Sequence, residues 1–144
     1  MSTSASTAVR RAALRVLYAV DVSGLTEREL LRNLRHTFEE EDPALQDRWE
    51  EVEGWVKGVR SSQESIDKEI TRLSPRWRID RMASVDRNLL RLGLFELDHP
   101  TVPAIVTINA CIELGKEFGS SSTPGFINGL LDQHCKDQKI SLKS

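Results

Sequence analysis

An all-α fold, a compact single-domain bundle of about seven helices, is what this chain predicts, and three observations carry the prediction. Apolar residues recur at three- and four-residue spacing almost throughout. No stretch alternates convincingly between apolar and polar as a strand would. Pro, Gly and Ser clusters cut the chain into pieces of helical length joined by short connections. At 144 residues the chain is long enough to bury one sizeable core.

Taken in order, residues 1–8 read as a disordered Ser/Thr tail, with Thr7 as N-cap of a first helix that runs to Val22 and stops at Ser23-Gly24. Steps of about 100° gather Val9, Ala12, Ala13, Val16, Leu17 and Val20 on one stripe of that helix. Arg11, Arg15, Tyr18 and Val22 share the other side. Thr26, with Glu29 three residues on, predicts a capping box for a second helix carrying Leu30, Leu31, Leu34 and Phe38, which ends near Asp42-Pro43. A third helix is expected over 44–61, with Leu45, Trp49, Val52, Val56 and Val59 inward. A fourth over 63–73 has Ile66, Ile70 and Leu73 as its seam and is closed by Ser74-Pro75.

The connection that follows, RWRIDRM, sets Arg76, Arg78 and Arg81 around Trp77. It could extend a nucleic-acid track or brace the junction between helices. The bracing role is favoured, with Trp77 packed rather than stacked on a base. The helix over 84–98 is apolar nearly all round, with only Arg87, Arg91 and Asp98 as a polar strip, which places it at the centre of the bundle. Glu96 falls inside its apolar stripe and therefore needs a partner. Pro103 leads a helix to Phe118 with Ala104, Ile108, Cys111, Ile112 and Gly115 inward, and Gly119 follows as its C-cap. Thr123 or Pro124 opens the last helix, whose seam is Ile127, Leu130, Leu131 and His134. Residues 136–144 read as a polar, fraying tail.

Charge and chemistry narrow the function. The net charge is −2, so nucleic-acid binding has to come from a local patch. Residues 1–20 supply Arg10, Arg11 and Arg15 with no acid, whereas 26–53 carry ten acids against four arginines, a pattern that fits a solvated helix face. Cys111 and Cys135 lack CxxC spacing, and His36, His99 and His134 are scattered. Reduced core thiols, no metal, no cofactor, no catalytic residue and a cytoplasmic protein are expected. No apolar run reaches the length of about 20 residues needed to cross a membrane. Phe126, beside small polar residues at a helix start, could close the core or offer a face to a base.

The run VPAIVTINACIELGKEFG followed by GFINGLLD resembles the NusB family of bacterial transcription antitermination factors, as does VDRNLLRLGLFEL. RRAALRVLY resembles that family's arginine-bearing first helix. The resemblance spans residues 9–135 and is most specific in the two C-terminal motifs. It implies a seven-helix protein that pairs with NusE, a small-subunit ribosomal protein, to bind the boxA element of nascent RNA. It also implies a place in the transcription elongation complex that supports rRNA operons, and self-association into a homodimer in some members. Arg10, Arg11, Arg15, Gly125 and Phe126 are the implied RNA surface, and Tyr18, Asp86 and Arg87 the implied partner surface.

This sequence departs from the family pattern at three places. Thr7, Ala8 and Val9 stand where further arginines are common, Ala110 replaces a glutamate, and Gly125 stands where a lysine or polar residue is common. A protein-binding helical adaptor with a decayed RNA surface is therefore the alternative function. The same domain fronts rRNA cytosine methyltransferases, but the chain ends at Ser144, which leaves no room expected for such a domain, and the cofactor loop is missing.

Overall fold

The computed structural model describes residues 2–143, with side chains from Ser6 onward. Seven α-helices follow one another: α1 (Ser2–Ser23), α2 (Glu27–Glu41), α3 (Trp49–Ser61), α4 (Gln63–Leu73), α5 (Ser84–Asp98), α6 (Ala104–Phe118) and α7 (Thr123–Asp137). Two short 3₁₀ turns, Pro43–Leu45 and Ile79–Arg81, lie between them, and no strand is formed among the described residues. The chain divides into two units, Met1–Arg60 and Ser61–Ser144.

In the N-terminal unit α1 packs on α2. The apolar stripe of α1 is buried as its periodicity requires, from Ala8 and Val9 through Val20. Helix α1 begins at Ser2 rather than at Thr7, so the stretch expected as a tail over 1–8 is helical from Ser2 onward, and Ala8 joins Val9 in the core. Gly24 ends α1 at φ +75°, a conformation open to glycine at little cost. The capping box forms as expected: Thr26 Oγ1 accepts the Glu29 N–H at 3.1 Å and the Glu29 carboxylate reaches back to the Thr26 N–H. The helix expected over 44–61 is interrupted. Asp42 caps the turn Pro43–Leu45 by accepting the Ala44 N–H at 3.2 Å, and Asp47 then adopts φ +67°, so α3 starts only at Trp49. Short polar side chains tolerate that left-handed conformation best after glycine.

In the C-terminal unit α5 is central, packed against α4, α6 and α7. Nine of its residues are buried, among them Asn88 and Arg91. Arg91, expected on a polar strip, is thus interior. Its guanidinium makes a two-pronged pair with Asp67 of α4 at 2.8 and 3.0 Å and a further bond to Asn88 Oδ1 at 3.1 Å. Breaking such a buried pair by removing one partner typically costs about 3–5 kcal/mol. Glu96 is buried, as its position implied. Helix α5 can approach its neighbours so closely because of Gly93: a Cβ there would lie 3.0 Å from Leu131 Cδ1 and 3.1 Å from Cys111 Sγ.

Helices α4 and α7 are tied by His134, whose Nδ1 lies 2.6 Å from Glu69 and whose Nε2 lies 3.1 Å from Asp98 of α5. Arg72 grips Glu69 at 2.7 Å and Asp137 at 2.9 Å. The far end of α7 is closed by a Schellman motif with Lys139 at φ +57°, the Ile140 N–H bonding Cys135 O at 2.8 Å. Lys136 and Asp137, expected in the tail, belong to the helix, which runs through Asp137 and is capped at Gln138.

Two outcomes test this packing. Gly93→Ala should lower unfolding free energy by about 1–3 kcal/mol, the usual overpacking cost, measured by denaturant titration; an unchanged midpoint would show that Leu131 and Cys111 yield freely. Hydrogen bonding to Arg72, and secondarily to His134, holds the Glu69 carboxyl below its ordinary value of 4.5 against the opposing effect of burial. Its folded value being lowered, Glu69 contributes stability that is complete above about pH 4.5 and disappears as pH falls through the lower folded value. The melting temperatures of wild type and Glu69→Gln should therefore differ near neutrality and converge in acid.

Candidate RNA and partner surface

The residues that the resemblance points to divide between the two units, and they differ in what their side chains are free to do. On α1, consecutive arginines are about 100° apart. Arg10 therefore falls with Ala13, Leu14 and Leu17, and it is only 4% exposed, its guanidinium 5.5 Å from the centre of the Trp55 ring. Arg10 was expected on the RNA surface. The structure makes it an interior cation on an aromatic face, and its three- and four-residue spacing from Ala13 and Leu14 was the sequence signal for this.

Arg11 and Arg15 face outward together with Tyr18, which is 41% exposed, and Val22. Neither arginine is idle. Arg15 donates to Glu41 at 2.7 Å and its guanidinium sits 4.0 Å from the centre of the Phe38 ring, which meets Trp49 edge-on at 6.1 Å. Arg11 lies 3.9 Å from Asp42. The acidic end of α2 thus partly neutralises the basic face of α1. Exposed pairs of this kind are worth about 0–1 kcal/mol, so an incoming phosphate can exchange with them at modest cost.

The second group is organised around Thr123, which is 1% exposed. Its hydroxyl donates to Asp86 Oδ1 at 2.7 Å and accepts the Ser120 N–H at 3.0 Å, so it ties the start of α7 both to α5 and to its own loop. Gly119 is required at this point, since a Cβ there would collide with the Thr123 side chain. Phe126, one turn further along α7, is half-buried and not closed into the core. Gly125 is exposed, and a Cβ on it would meet nothing within 4 Å.

Asp86 accordingly holds the loop in place, with one oxygen engaged. Arg87 is similarly occupied: it donates to Ile79 O at 3.0 Å, Met82 O at 3.1 Å and Ser84 Oγ at 3.0 Å, clamping the α4–α5 connection from within. Beyond that clamp stands Trp77, 64% exposed, which corrects the expectation that it is packed. Ser74 fixes the turn by accepting the Trp77 N–H at 3.0 Å, and the ring is left outside.

Burial, followed by the charges of Asp132 and Asp98, pushes the Cys135 thiol up, away from the nucleophilic thiolate. Both cysteines are buried, and neither is in a disulfide. Among the described residues no group of three or more His, Cys, Asp or Glu could hold a metal ion, and no helix is long and apolar enough to cross a membrane.

Comparison with known proteins shows what the chain as a whole is similar to. A family model described as the NusB family matches residues 7–136. The transcription antitermination protein NusB of Anaeromyxobacter sp. (strain Fw109-5) is 43% identical over 127 residues, covering 88% of this chain and 87% of that protein. The solution structure of NusB from Aquifex aeolicus aligns with a TM-score of 0.77 at 28% identity, covering 100% of this chain and 95% of that one. A crystal structure of antitermination factors NusB and NusE in complex with dsRNA aligns with a TM-score of 0.74 at 27% identity, over 92% of this chain and 97% of that chain.

The two arginines should separate in experiment. Arg10→Ala should cost about 1–2 kcal/mol of stability through the lost cation–π contact and packing, seen by thermal melting. Arg11→Ala should leave the melting temperature within about 1 °C to 2 °C, because surface changes usually stay within about 0.5 kcal/mol. Equal effects on stability would contradict the burial difference.

Proposed function

The chain belongs to the NusB family, and we propose that it acts as a transcription antitermination factor, binding boxA-type single-stranded RNA together with NusE in the elongation complex that transcribes rRNA operons. The observation that carries this reading is Phe126, partly exposed at the first turn of α7 and held there by the Thr123–Asp86 bond. An aromatic on a braced helix start can stack on a splayed base, worth about 1–3 kcal/mol per base. The helix N-terminus beside it favours a phosphate through its unpaired N–H groups and its dipole. Arg11 and Arg15 supply guanidinium forks for the backbone, and Tyr18 offers an exposed ring to the NusE partner.

Arg10 adds to the RNA surface indirectly, by fixing α1. With both outward arginines already paired to Asp42 and Glu41 and no cation at Gly125, the isolated protein binds RNA weakly and relies on NusE. Those same pairs favour a second reading, in which the protein is a helical adaptor that binds NusE and has lost RNA affinity.

Filter binding across a salt series distinguishes the two. The protein–NusE pair should lose RNA affinity as salt rises, with Phe126→Ala about tenfold weaker at fixed salt. Gly125→Lys, entering open space, should tighten binding and steepen the logarithmic salt slope by about 0.7, the value for one added phosphate contact on a single strand. NusE binding without any RNA signal would establish the adaptor reading instead.

A further inference from the structure

The α4–α5 connection has a use that bracing does not explain. Burying a tryptophan ranks among the largest single contributions an aromatic can make, yet the Trp77 ring is left in solvent. It lines one cleft with Phe126, a cavity of about 380 Å³ whose remaining walls include Arg78, Arg81, Met82 and Asp86. That size falls within the roughly 300–1,000 Å³ of small-ligand sites.

The charges around it are asymmetric in their availability. Arg78 is engaged with Asp80 at 2.9 Å, whereas the side chains of Arg81, on the wall, and Arg76, next to Trp77, have no ion pair or hydrogen bond among the described residues. Of the acids, Asp80 is taken by Arg78 and one Asp86 oxygen by Thr123. The result is a cleft with two aromatic surfaces inside and uncompensated guanidinium groups at its edge. This composition suits an unstacked base with its phosphate, since rings accept any base and cations follow the backbone. An apolar protein side chain would make no use of Arg81.

We propose that this cleft is a nucleotide subsite: one unstacked base of the bound single-stranded RNA lies against Trp77 and Phe126, and Arg81 meets the adjoining phosphate. Arg76 continues the cationic path along the strand. The inference rests on the RNA-binding reading above and extends its surface from Phe126 onto the α4–α5 connection.

The test uses the protein–NusE pair and a boxA-type RNA oligonucleotide, together with a set of the same oligonucleotide made abasic at one position at a time. Trp77→Ala should weaken RNA binding about tenfold, with Trp77→Phe recovering most of the loss. At one abasic position wild type and Trp77→Ala should bind equally, because the base that Trp77 contacts has gone. NusE affinity and thermal melting should stay unchanged. If Trp77→Ala binds every oligonucleotide as wild type does while Phe126→Ala and Arg11→Ala bind weakly, the subsite is refuted and the broader RNA reading stands. Loss of NusE affinity in Trp77→Ala with RNA binding intact would make the cleft a protein-docking surface and overturn the proposal. A wild-type pair that binds no RNA at any salt concentration would remove the RNA reading itself.

Discussion

The Thr123 hydroxyl is the contact on which the C-terminal surface depends. By donating to Asp86 and accepting from Ser120, it fixes three things together: the loop before α7, the first turn of α7, and the outer end of α5. Because the hydroxyl is almost entirely shielded from water, its bond to a carboxylate is of the charge-assisted kind and stronger than a neutral one. The loop can close this tightly only because Gly119 has no Cβ. Phe126 inherits its position from that closure. A fraying helix end would not hold the ring at a fixed height and angle.

The N-terminal unit solves a different problem. Its basic face lies against the acidic end of α2, so the two outward arginines are oriented by carboxylates. This lowers the net positive field that the chain presents, yet it places the guanidinium groups and spares part of the entropy of ordering two long side chains. Beneath them Phe38 and Trp49 form an aromatic floor that is itself buried. Arg10, the adjacent residue in sequence, is consumed by that architecture on the other side of the helix, over Trp55. A run of arginines is therefore not a run of equivalent binding groups: the helical rotation assigns one to structure and its neighbour to the surface.

Helix existence and most helix limits were legible in the sequence because they follow from local chemistry. Thr26 with Glu29, Ser74-Pro75, Gly119 and the stretch Ser84–Asp98 each mark an end or a face through interactions confined to one or two turns. The misreadings arose where a distant partner decides. Helix α1 runs back to Ser2 through a Ser/Thr-rich stretch whose composition does not announce a helix. Asp47 breaks α3 early through a backbone conformation that the apolar spacing does not record. Arg91 looked polar on its helix and is interior, because Asp67 of another helix neutralises it.

By itself the sequence determined the helices, the apolar core, the family, and the candidate residues Arg11, Phe126 and Asp86. These rest on periodicity, capping and motif, all carried by residues near one another in the chain. Only the tertiary structure decided which of those side chains are available. Exposure and pairing depend on what crosses from other helices: Asp42 and Glu41 onto the α1 arginines, Thr123 onto Asp86, and Arg87 under the linker. Trp77 shows the division most plainly. Its arginine neighbours were visible from the start, but its place in solvent follows from hydrogen bonds made by Ser74 and Arg87 that hold the connection closed beneath it.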